Sequence, residues 1–179
     1  LDRAGISGNK VGHVAFGHVI NTEPRDMYLS RVAAMNADVP DSVPAMNVNR
    51  LCGSGVQAIV SVVQSLMLGD AEFGLAGGAE CMSRSPFINS DQRWGAKMGD
   101  ITMRDMMLGA LNCPFGTGHM GVTAENVATE HSISRAAQDA FALESQDRAA
   151  RAIAAGHFDS QIAPVMVKKR REEVAFARD

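Results

Sequence analysis

Val48-Asn49-Arg50-Leu51-Cys52-Gly53-Ser54-Gly55 is the stretch that decides the fold, because a predicted strand enters it and a predicted helix leaves it. The run from Val43 to Val48 is β-prone. Beyond Gly55, apolar residues recur at the helical spacing i, i+3, i+4, i+7 and i+11, which predicts one face of a helix: Val56, Ile59, Val60, Val63 and Met67. Gly69 predicts the end of that helix, since glycine commonly follows a helix C-terminus. We therefore expect Cys52 where a strand turns into a helix.

This position gives Cys52 a possible chemical role. The thiolate is the nucleophilic form of cysteine, and the first N–H groups of a helix carry partial positive charge that favours a neighbouring anion. The same N–H groups can stabilise the oxyanion that forms when sulfur attacks a carbonyl. Gly53 and Gly55 would permit a sharp turn and the approach of a substrate. A small buried cysteine that packs under the helix is the alternative, and the residues alone leave both interpretations open.

Apolar runs and the positions of glycine and proline predict the remaining elements. Strands are expected at Val11 to Ile20 and Phe73 to Ala76, and a helix at Met27 to Ala37. Strand, helix and strand in this order predict a parallel βαβ unit, whose ligands bind beyond the carboxyl ends of the strands. The later patterns predict helices at 100–111, 121–131 and 135–155, the last capped by Ser134, then a strand at 162–167 and a solvated charged turn at 168–173.

Composition narrows the function classes. The formal net charge of −3 and the hydrophobic content of 46% indicate neither nucleic acid nor a membrane as a partner. No apolar run is expected to approach the ~20 residues of a membrane span. The cysteines Cys52, Cys81 and Cys113 are odd in number and include no C-x-x-C pair, which argues against a disulfide scaffold and against a zinc site. Free cysteines favour a cytoplasmic location.

Three spaced motifs resemble those of one enzyme family, the thiolases. Asn49 to Gly55 resembles their acyl-enzyme cysteine motif, Gly77 to Ser83 resembles G-G-x-E-x-M-S, and His119 to Ala128 resembles H-M-G-x-T-A-E-N-V-A. The resemblance covers essentially the whole chain. The segment Glu23-Pro24-Arg25-Asp26-Met27-Tyr28 is most similar to bacterial β-ketothiolases, the acetyl-CoA acyltransferases of fatty acid degradation and polyhydroxyalkanoate precursor synthesis.

The resemblance implies an α/β fold with α-β-α layers around a mixed, largely parallel sheet. Residues 1–81 would form the N-terminal half of the thiolase core, and residues 82–179 the loop domain that covers the coenzyme A site. It also implies truncation at both ends, with a first strand and helix absent before Leu1 and a second half absent after Asp179. A homo-oligomer, either a dimer or a tetramer, is implied as well.

The implied reaction is reversible acyl transfer through Cys52. The Cys52 thiolate would attack the keto carbonyl of a 3-ketoacyl-CoA, release acetyl-CoA and pass the acyl group to free CoA, with the backbone N–H of Cys52 in one oxyanion site. Coenzyme A thioesters are substrates, and no metal or organic cofactor is implied. The family's G-H-P, C-x-G-G-G and N-E-A-F motifs do not occur in this sequence. We therefore expect negligible turnover from the 179-residue chain alone.

The resemblance also assigns binding residues. Leu111, His119 and Met120 match family positions that line the pantetheine tunnel, although spacing alone would favour ordinary core residues and a loop histidine. Glu80 has two interpretations, an acid or base beside the site and a structural carboxylate that accepts backbone N–H bonds.

Two other functions remain open on the sequence. One is a different condensing enzyme of the same superfamily, such as a ketoacyl synthase, against which the His119 to Asn126 motif argues. The other is a non-catalytic acyl-CoA-binding fragment that keeps the cysteine without its base. Faster alkylation of Cys52 than of Cys81 and Cys113 would favour the enzyme.

Overall fold

A parallel three-stranded sheet forms the centre of the first part of the chain, in a computed structural model that describes residues 1–170 and 172–178. Its strands are β1 (Val11–Gly17), β2 (Ala45–Val48) and β3 (Phe73–Gly78), in the order β2-β1-β3. Both neighbours of β1 run parallel to it, in a register that places Val14 beside Ala45 and Leu75. The strand–helix–strand prediction is confirmed.

Helices cover both faces of this sheet. Helix α1 (Leu29–Asn36) shares one apolar cluster with β1, built on Val14 and Ala34. Helix α2 (Ser54–Leu68) shares another, built on Ala15 and Ala58. Because successive residues of a strand point to opposite faces, the two clusters lie on opposite sides of β1. The expected α-β-α layering is therefore present in the described residues.

Helix α2 packs through a different face from the one marked by its large apolar residues. Its buried residues are Ser54, Ala58 and Val62, spaced at i, i+4 and i+8. Small side chains bring the helix close to the strands, where Gly74 lies against Val62 and Gly17 against the Ser54 backbone. The predicted apolar face is left between 41% and 82% exposed, and its members are Val56, Ile59, Val60, Val63 and Met67.

Helix α2 lies in a segment that is longer and more apolar than the sequence analysis allowed, since no apolar run was expected to approach a membrane span. The 18-residue segment Leu51–Leu68 has a mean hydropathy of 1.6 and is 17% buried, so by length and composition alone it is apolar enough to cross a membrane. The statement that no apolar run approaches a membrane span was too strict. The core helix of an α/β layer meets the same criterion, and the packing of α2 on β1 and β3 is of that kind.

Several element boundaries differ from the predictions. Strand β1 ends at Gly17 rather than Ile20, and a short 3-10 helix at Pro24–Tyr28 precedes α1, which starts at Leu29 rather than Met27. Two short strand pairs follow the sheet: β4 (Phe87–Ile88) with β5 (Arg104–Asp105), and β6 (Asn112–Cys113) with β7 (Gly118–His119). Helix α3 between them covers only Met106–Leu111, because Asp105 caps its start.

The last part of the chain contains two helices and a hairpin. Helix α4 is Met120–Glu130 and helix α5 is Arg135–Ala154, whose predicted cap is confirmed because the Ser134 hydroxyl accepts the Ala137 N–H at 3.2 Å. The hairpin pairs β8 (Val165–Lys169) with β9 (Glu172–Phe176). The predicted charged turn is thus shorter than expected, since Lys168 faces Glu173 and Lys169 faces Glu172 within the ladder. Arg171 lies outside the described residues.

The chain separates into two compact units, residues 1–120 and 121–179. The division that the family resemblance predicts, between residues 81 and 82, concerns the family's domains and stays a prediction.

Candidate active site

Cys52 is exposed in the turn between β2 and α2, at the predicted strand–helix junction. The buried Ser54 hydroxyl locks this turn: it accepts the Arg50 N–H at 2.9 Å and donates to the Leu51 carbonyl at 2.6 Å. A further backbone bond runs from the Gly53 N–H to the Arg50 carbonyl at 3.0 Å. Hydrogen bonds therefore hold the backbone on both sides of Cys52.

The sharp conformation in this turn belongs to Leu51 rather than to the glycines. Leu51 has φ +47°, in the left-handed region that non-glycine residues rarely adopt. Gly53 has φ −87° and Gly55 lies inside α2, so the left-handed residue of this turn is neither of the two glycines that were expected to permit it. Such conformations cluster at functional sites, where the surrounding structure holds them in place.

A cavity of about 500 Å³ opens beside Cys52. Three chain segments at the carboxyl ends of the strands build part of its wall, and α3 builds another part. The lining residues are Gly17, His18, Val19, Ile20, Leu51, Cys52, Ser54, Gly55, Gly78, Ala79, Glu80, Met82, Met107, Ala110 and Leu111. The cavity thus lies where ligands bind in parallel α/β sheets, and its size is within the range of small-molecule sites.

The Glu80 carboxylate connects two of these wall segments through hydrogen bonds. Its carboxylate accepts the backbone N–H of Val19 at 2.9 Å and that of Ile20 at 3.2 Å. The structural interpretation of Glu80, a carboxylate that accepts backbone N–H bonds, is confirmed. Its two oxygens hold the segment after β1 against the segment after β3.

His18 makes a second hydrogen-bonded connection between the same segments. Its Nδ1 lies 2.8 Å from the Ala79 carbonyl oxygen, so Nδ1 carries the proton and donates it. The ring is buried, and its Nε2 has no hydrogen-bond partner among the described residues. Nδ1 is also 3.8 Å from a Glu80 oxygen. His18 therefore belongs to the wall and has a hydrogen-bonded structural role.

Of the predicted site residues, Cys52 and Leu111 line the same cavity. His119 and Met120 are not among its lining residues: His119 pairs with Asn112 in β6–β7, and Met120 begins α4. The assignment of Leu111, His119 and Met120 to coenzyme A stays a prediction.

Five apolar residues that complete the wall were not predicted from the sequence: Val19, Ile20, Met82, Met107 and Ala110. One signal for the first two was available, because the residues just after a central parallel strand lie at its carboxyl end. Met107 and Ala110 were not predictable in this way, since α3 reaches the site only through the folding of an irregular segment.

Cys113 has a perturbed thiol. Hydrogen bonds from the Thr117 hydroxyl, and then from the backbone N–H groups of Phe115, Thr117 and Gly116, lower the pKa of the Cys113 thiol. The turn between β6 and β7 thus surrounds this sulfur with donors that favour its thiolate. The reactivity of Cys113 is therefore expected to exceed that of an ordinary thiol.

Comparisons with known proteins give a consistent result. Residues 1–179 match the family model described as "Thiolase, N-terminal domain". The beta-ketothiolase BktB of Cupriavidus necator is 60% identical over all of this chain, which spans 45% of that protein. An acetyl-CoA acetyltransferase of the same organism is 42% identical, and the chain spans 46% of it.

Solved structures agree with these relatives. The acetyl-CoA acetyltransferase of Bacillus anthracis matches 99% of this chain with 45% of its own, at a TM-score of 0.91 and 39% identity. Human mitochondrial 3-ketoacyl-CoA thiolase in complex with CoA matches 98% of this chain with 44% of its own, at a TM-score of 0.90 and 36% identity. The chain spans about half the length of the relatives it matches.

Proposed function

The chain belongs to the thiolase family, as its three motifs predicted, and we propose that Cys52 is the nucleophile of an acyl transfer from 3-ketoacyl-CoA to coenzyme A. One observation carries this proposal. The exposed Cys52 lies in a hydrogen-bonded turn at the start of α2 and lines an apolar cavity.

In the proposed first step, the Cys52 thiolate attacks the C3 keto carbonyl of the substrate. The carbonyl oxygen becomes an oxyanion, which the backbone N–H of Cys52 helps to stabilise. Collapse of this intermediate breaks the C2–C3 bond, and the enolate of acetyl-CoA leaves with the electron pair and takes up a proton. The acyl group remains on Cys52 as a thioester.

In the second step, the thiol of free CoA loses its proton and attacks the acyl-cysteine carbonyl, which regenerates the Cys52 thiolate. Covalent catalysis of this kind splits one difficult step into two and gives ping-pong kinetics. The residues of this chain supply the nucleophile and the cavity. The two proton transfers need an acid–base group, for which the resemblance points to motifs that do not occur between Leu1 and Asp179.

The substrates that we propose are coenzyme A thioesters, with Leu111, His119 and Met120 along the pantetheine. A thiolase structure in complex with CoA, at a TM-score of 0.90, supports this class. The similarity to a beta-ketothiolase at 60% identity supports 3-ketoacyl-CoA as the substrate. A homo-oligomer and a cytoplasmic location are part of the same proposal.

The acyl-enzyme half-reaction tests this function without full turnover. We expect the purified chain, mixed with acetyl-CoA, to gain one acetyl group on the peptide that contains Cys52, as measured by mass spectrometry. Cys52→Ser should abolish the transfer, whereas Cys81→Ser, at another exposed cysteine, should leave it unchanged. Binding of acetyl-CoA without transfer to Cys52 would refute the acyltransferase and favour the acyl-CoA-binding fragment.

A further inference from the structure

The peptide unit between Leu51 and Cys52 carries the N–H group that the proposed reaction uses for its oxyanion. This unit is trans and planar, so its C=O and its N–H point in opposite directions. The position of the Leu51 carbonyl oxygen therefore fixes the direction of the Cys52 N–H. A group that holds this oxygen in place also aims the donor.

Ser54 holds the Leu51 carbonyl oxygen with two donors. Its hydroxyl donates to that oxygen at 2.6 Å, and its backbone N–H donates to the same oxygen at 3.0 Å. Because a carbonyl oxygen has two lone pairs, it cannot turn away without losing a hydrogen bond. The hydroxyl also accepts the Arg50 N–H at 2.9 Å, which connects the peptide before Arg50 to the same side chain.

The conformation of Leu51 explains why this support is needed. Leu51 has φ +47°, a left-handed conformation that is unfavourable for a residue with a bulky side chain and persists where the surrounding structure holds it. The Asn49 side-chain oxygen adds support, because it accepts the Leu51 N–H at 2.9 Å. Without the Ser54 hydroxyl, Leu51 can relax toward negative φ, and this movement would turn the Cys52 N–H.

The Ser54 hydroxyl is not free to bind a substrate itself. Ser54 is only 5% exposed, and its single hydroxyl proton is used on the Leu51 carbonyl. The backbone of Ser54 lies against Gly17 at the end of β1, where there is no room for a Cβ atom. The sheet thus fixes the place from which the hydroxyl acts, and this action reaches the reaction through the Leu51–Cys52 peptide.

We infer that Ser54 is a positioning residue, whose hydroxyl aims the Cys52 N–H at the oxyanion that forms when the Cys52 sulfur attacks a carbonyl. The inference rests on the acyl transfer proposed above and names the residue that prepares its oxyanion site. A donor that already points at the developing charge needs no reorganisation during the reaction. The Ser54 hydroxyl should therefore accelerate attack on a carbonyl, and it should have no such effect on a substitution without an oxyanion.

Two reagents separate these reactions on the full 179-residue chain. With p-nitrophenyl acetate, the Cys52 thiolate attacks the carbonyl carbon, an oxyanion forms, and p-nitrophenolate leaves with the electron pair of the broken C–O bond. With iodoacetamide, the thiolate displaces iodide from the methylene carbon and no oxyanion forms. Each rate at Cys52 is measured by peptide mass spectrometry and divided by the rate at exposed Cys81. The two normalised rates give an acylation-to-alkylation ratio.

Ser54→Ala should lower this ratio about tenfold or more, since removal of an oxyanion donor costs about 10²–10³ in rate and here the donor is misdirected rather than removed. Ser54→Thr keeps a hydroxyl on the same carbon and should retain the ratio of the parent chain. Ser61→Ala is the matched control. Ser61 belongs to the same helix, its hydroxyl accepts the Gln57 side-chain N–H at 3.0 Å, and it lies outside the described cavity lining. Its ratio should equal that of the parent chain.

An unchanged ratio in Ser54→Ala would overturn the inference. Acylation and alkylation that fall by the same factor would overturn it too, because a loosened turn without a specific effect on the oxyanion gives that result. A lowered ratio in Ser54→Thr would also overturn it, whether or not Ser54→Ala folds.

Acetylation of Cys52 by acetyl-CoA, measured on the same samples, distinguishes this inference from the proposed function. If acetyl-CoA acetylates Cys52 and Ser54→Ala leaves the ratio unchanged, the inference fails and the acyl transfer stands. If the ratio falls as expected and acetyl-CoA transfers nothing to Cys52, the proposed function fails, while the control of the Cys52 N–H by Ser54 stands.

Discussion

Replacing Gly17 by alanine should separate the Cys52 turn from the sheet. Gly17 is the last residue of β1 and touches the backbone at the start of α2. A Cβ atom there would lie 2.7 Å from the Ser54 carbonyl carbon, 2.8 Å from the Gly55 nitrogen and 2.9 Å from the Ser54 oxygen. Because these neighbours are backbone atoms, no side-chain rotation can relieve the clash.

The size of the effect follows from the movement required. Ordinary contacts of a Cβ atom begin near 3.4 Å, so helix and strand must separate by several tenths of an ångström. Overpacking of this kind typically costs about 1–3 kcal/mol. Alanine in a strand recovers about 0.5 kcal/mol relative to glycine. We therefore expect Gly17→Ala to lower the free energy of unfolding by roughly 0.5–2.5 kcal/mol.

Gly55→Ala is the matched control. It lies within α2, and a Cβ atom there meets no other atom within 4 Å. This change should stabilise the chain by about 0.5–1 kcal/mol, the usual preference for alanine over glycine in a helix. Urea unfolding followed by far-UV circular dichroism should thus give a lower midpoint for Gly17→Ala and a higher one for Gly55→Ala. Equal midpoints would show that the start of α2 does not rest on β1 as described.

Three further predictions test other parts of the molecule. Thr117→Val should raise the pKa of Cys113 and slow its alkylation by iodoacetamide near neutral pH, because the lowered pKa makes the thiolate abundant at a lower pH; an unchanged pH–rate profile would contradict this. Glu80→Gln should cost about 1 kcal/mol in urea unfolding, since an amide has one acceptor oxygen for two N–H groups; a wild-type midpoint would speak against the tie. Ile59→Ser should change the stability of this chain by less than about 0.5 kcal/mol, whereas Ala58→Leu should cost about 1–3 kcal/mol, because the first side chain is exposed and the second is fully buried; the reverse order would disprove the packing of α2.

The sequence predicted the order and type of the main elements well. The strands β1 and β3, the helix that follows Cys52, and the capped helix α5 all have local signals, namely an apolar run, a helical period and a serine cap. The face of α2 that packs on the sheet could not be predicted from the helix sequence alone. Large apolar residues mark the exposed face, while Ser54, Ala58 and Val62 face the sheet. The geometry depends on glycines in other strands, and periodicity within one helix carries no information about them.

The candidate site likewise contains some residues that the sequence predicts and others that it does not. Cys52 stands out because its motif and its junction are contiguous in sequence, and Leu111 was added through the family resemblance. The wall that Val19, Met107 and Ala110 supply comes from two distant segments, the residues after β1 and helix α3. The segment after β1 is placed by the parallel register of the sheet, and α3 by the β4–β5 pairing and the cap at Asp105. A single sequence contains no local signal for such an arrangement.

The perturbed pKa of Cys113 changes how the nucleophile should be identified. From the sequence, faster alkylation of Cys52 than of Cys81 and Cys113 would distinguish the enzyme from an acyl-CoA-binding fragment. A small reagent such as iodoacetamide reports chiefly the thiolate fraction and the exposure of each cysteine, and the donors around Cys113 raise its thiolate fraction. Fast alkylation of Cys113 would therefore say nothing against acyl transfer at Cys52. Transfer of an acetyl group from acetyl-CoA is the sharper criterion, because it requires the thioester to bind beside the sulfur, and Cys52 lines the cavity whereas neither Cys81 nor Cys113 does.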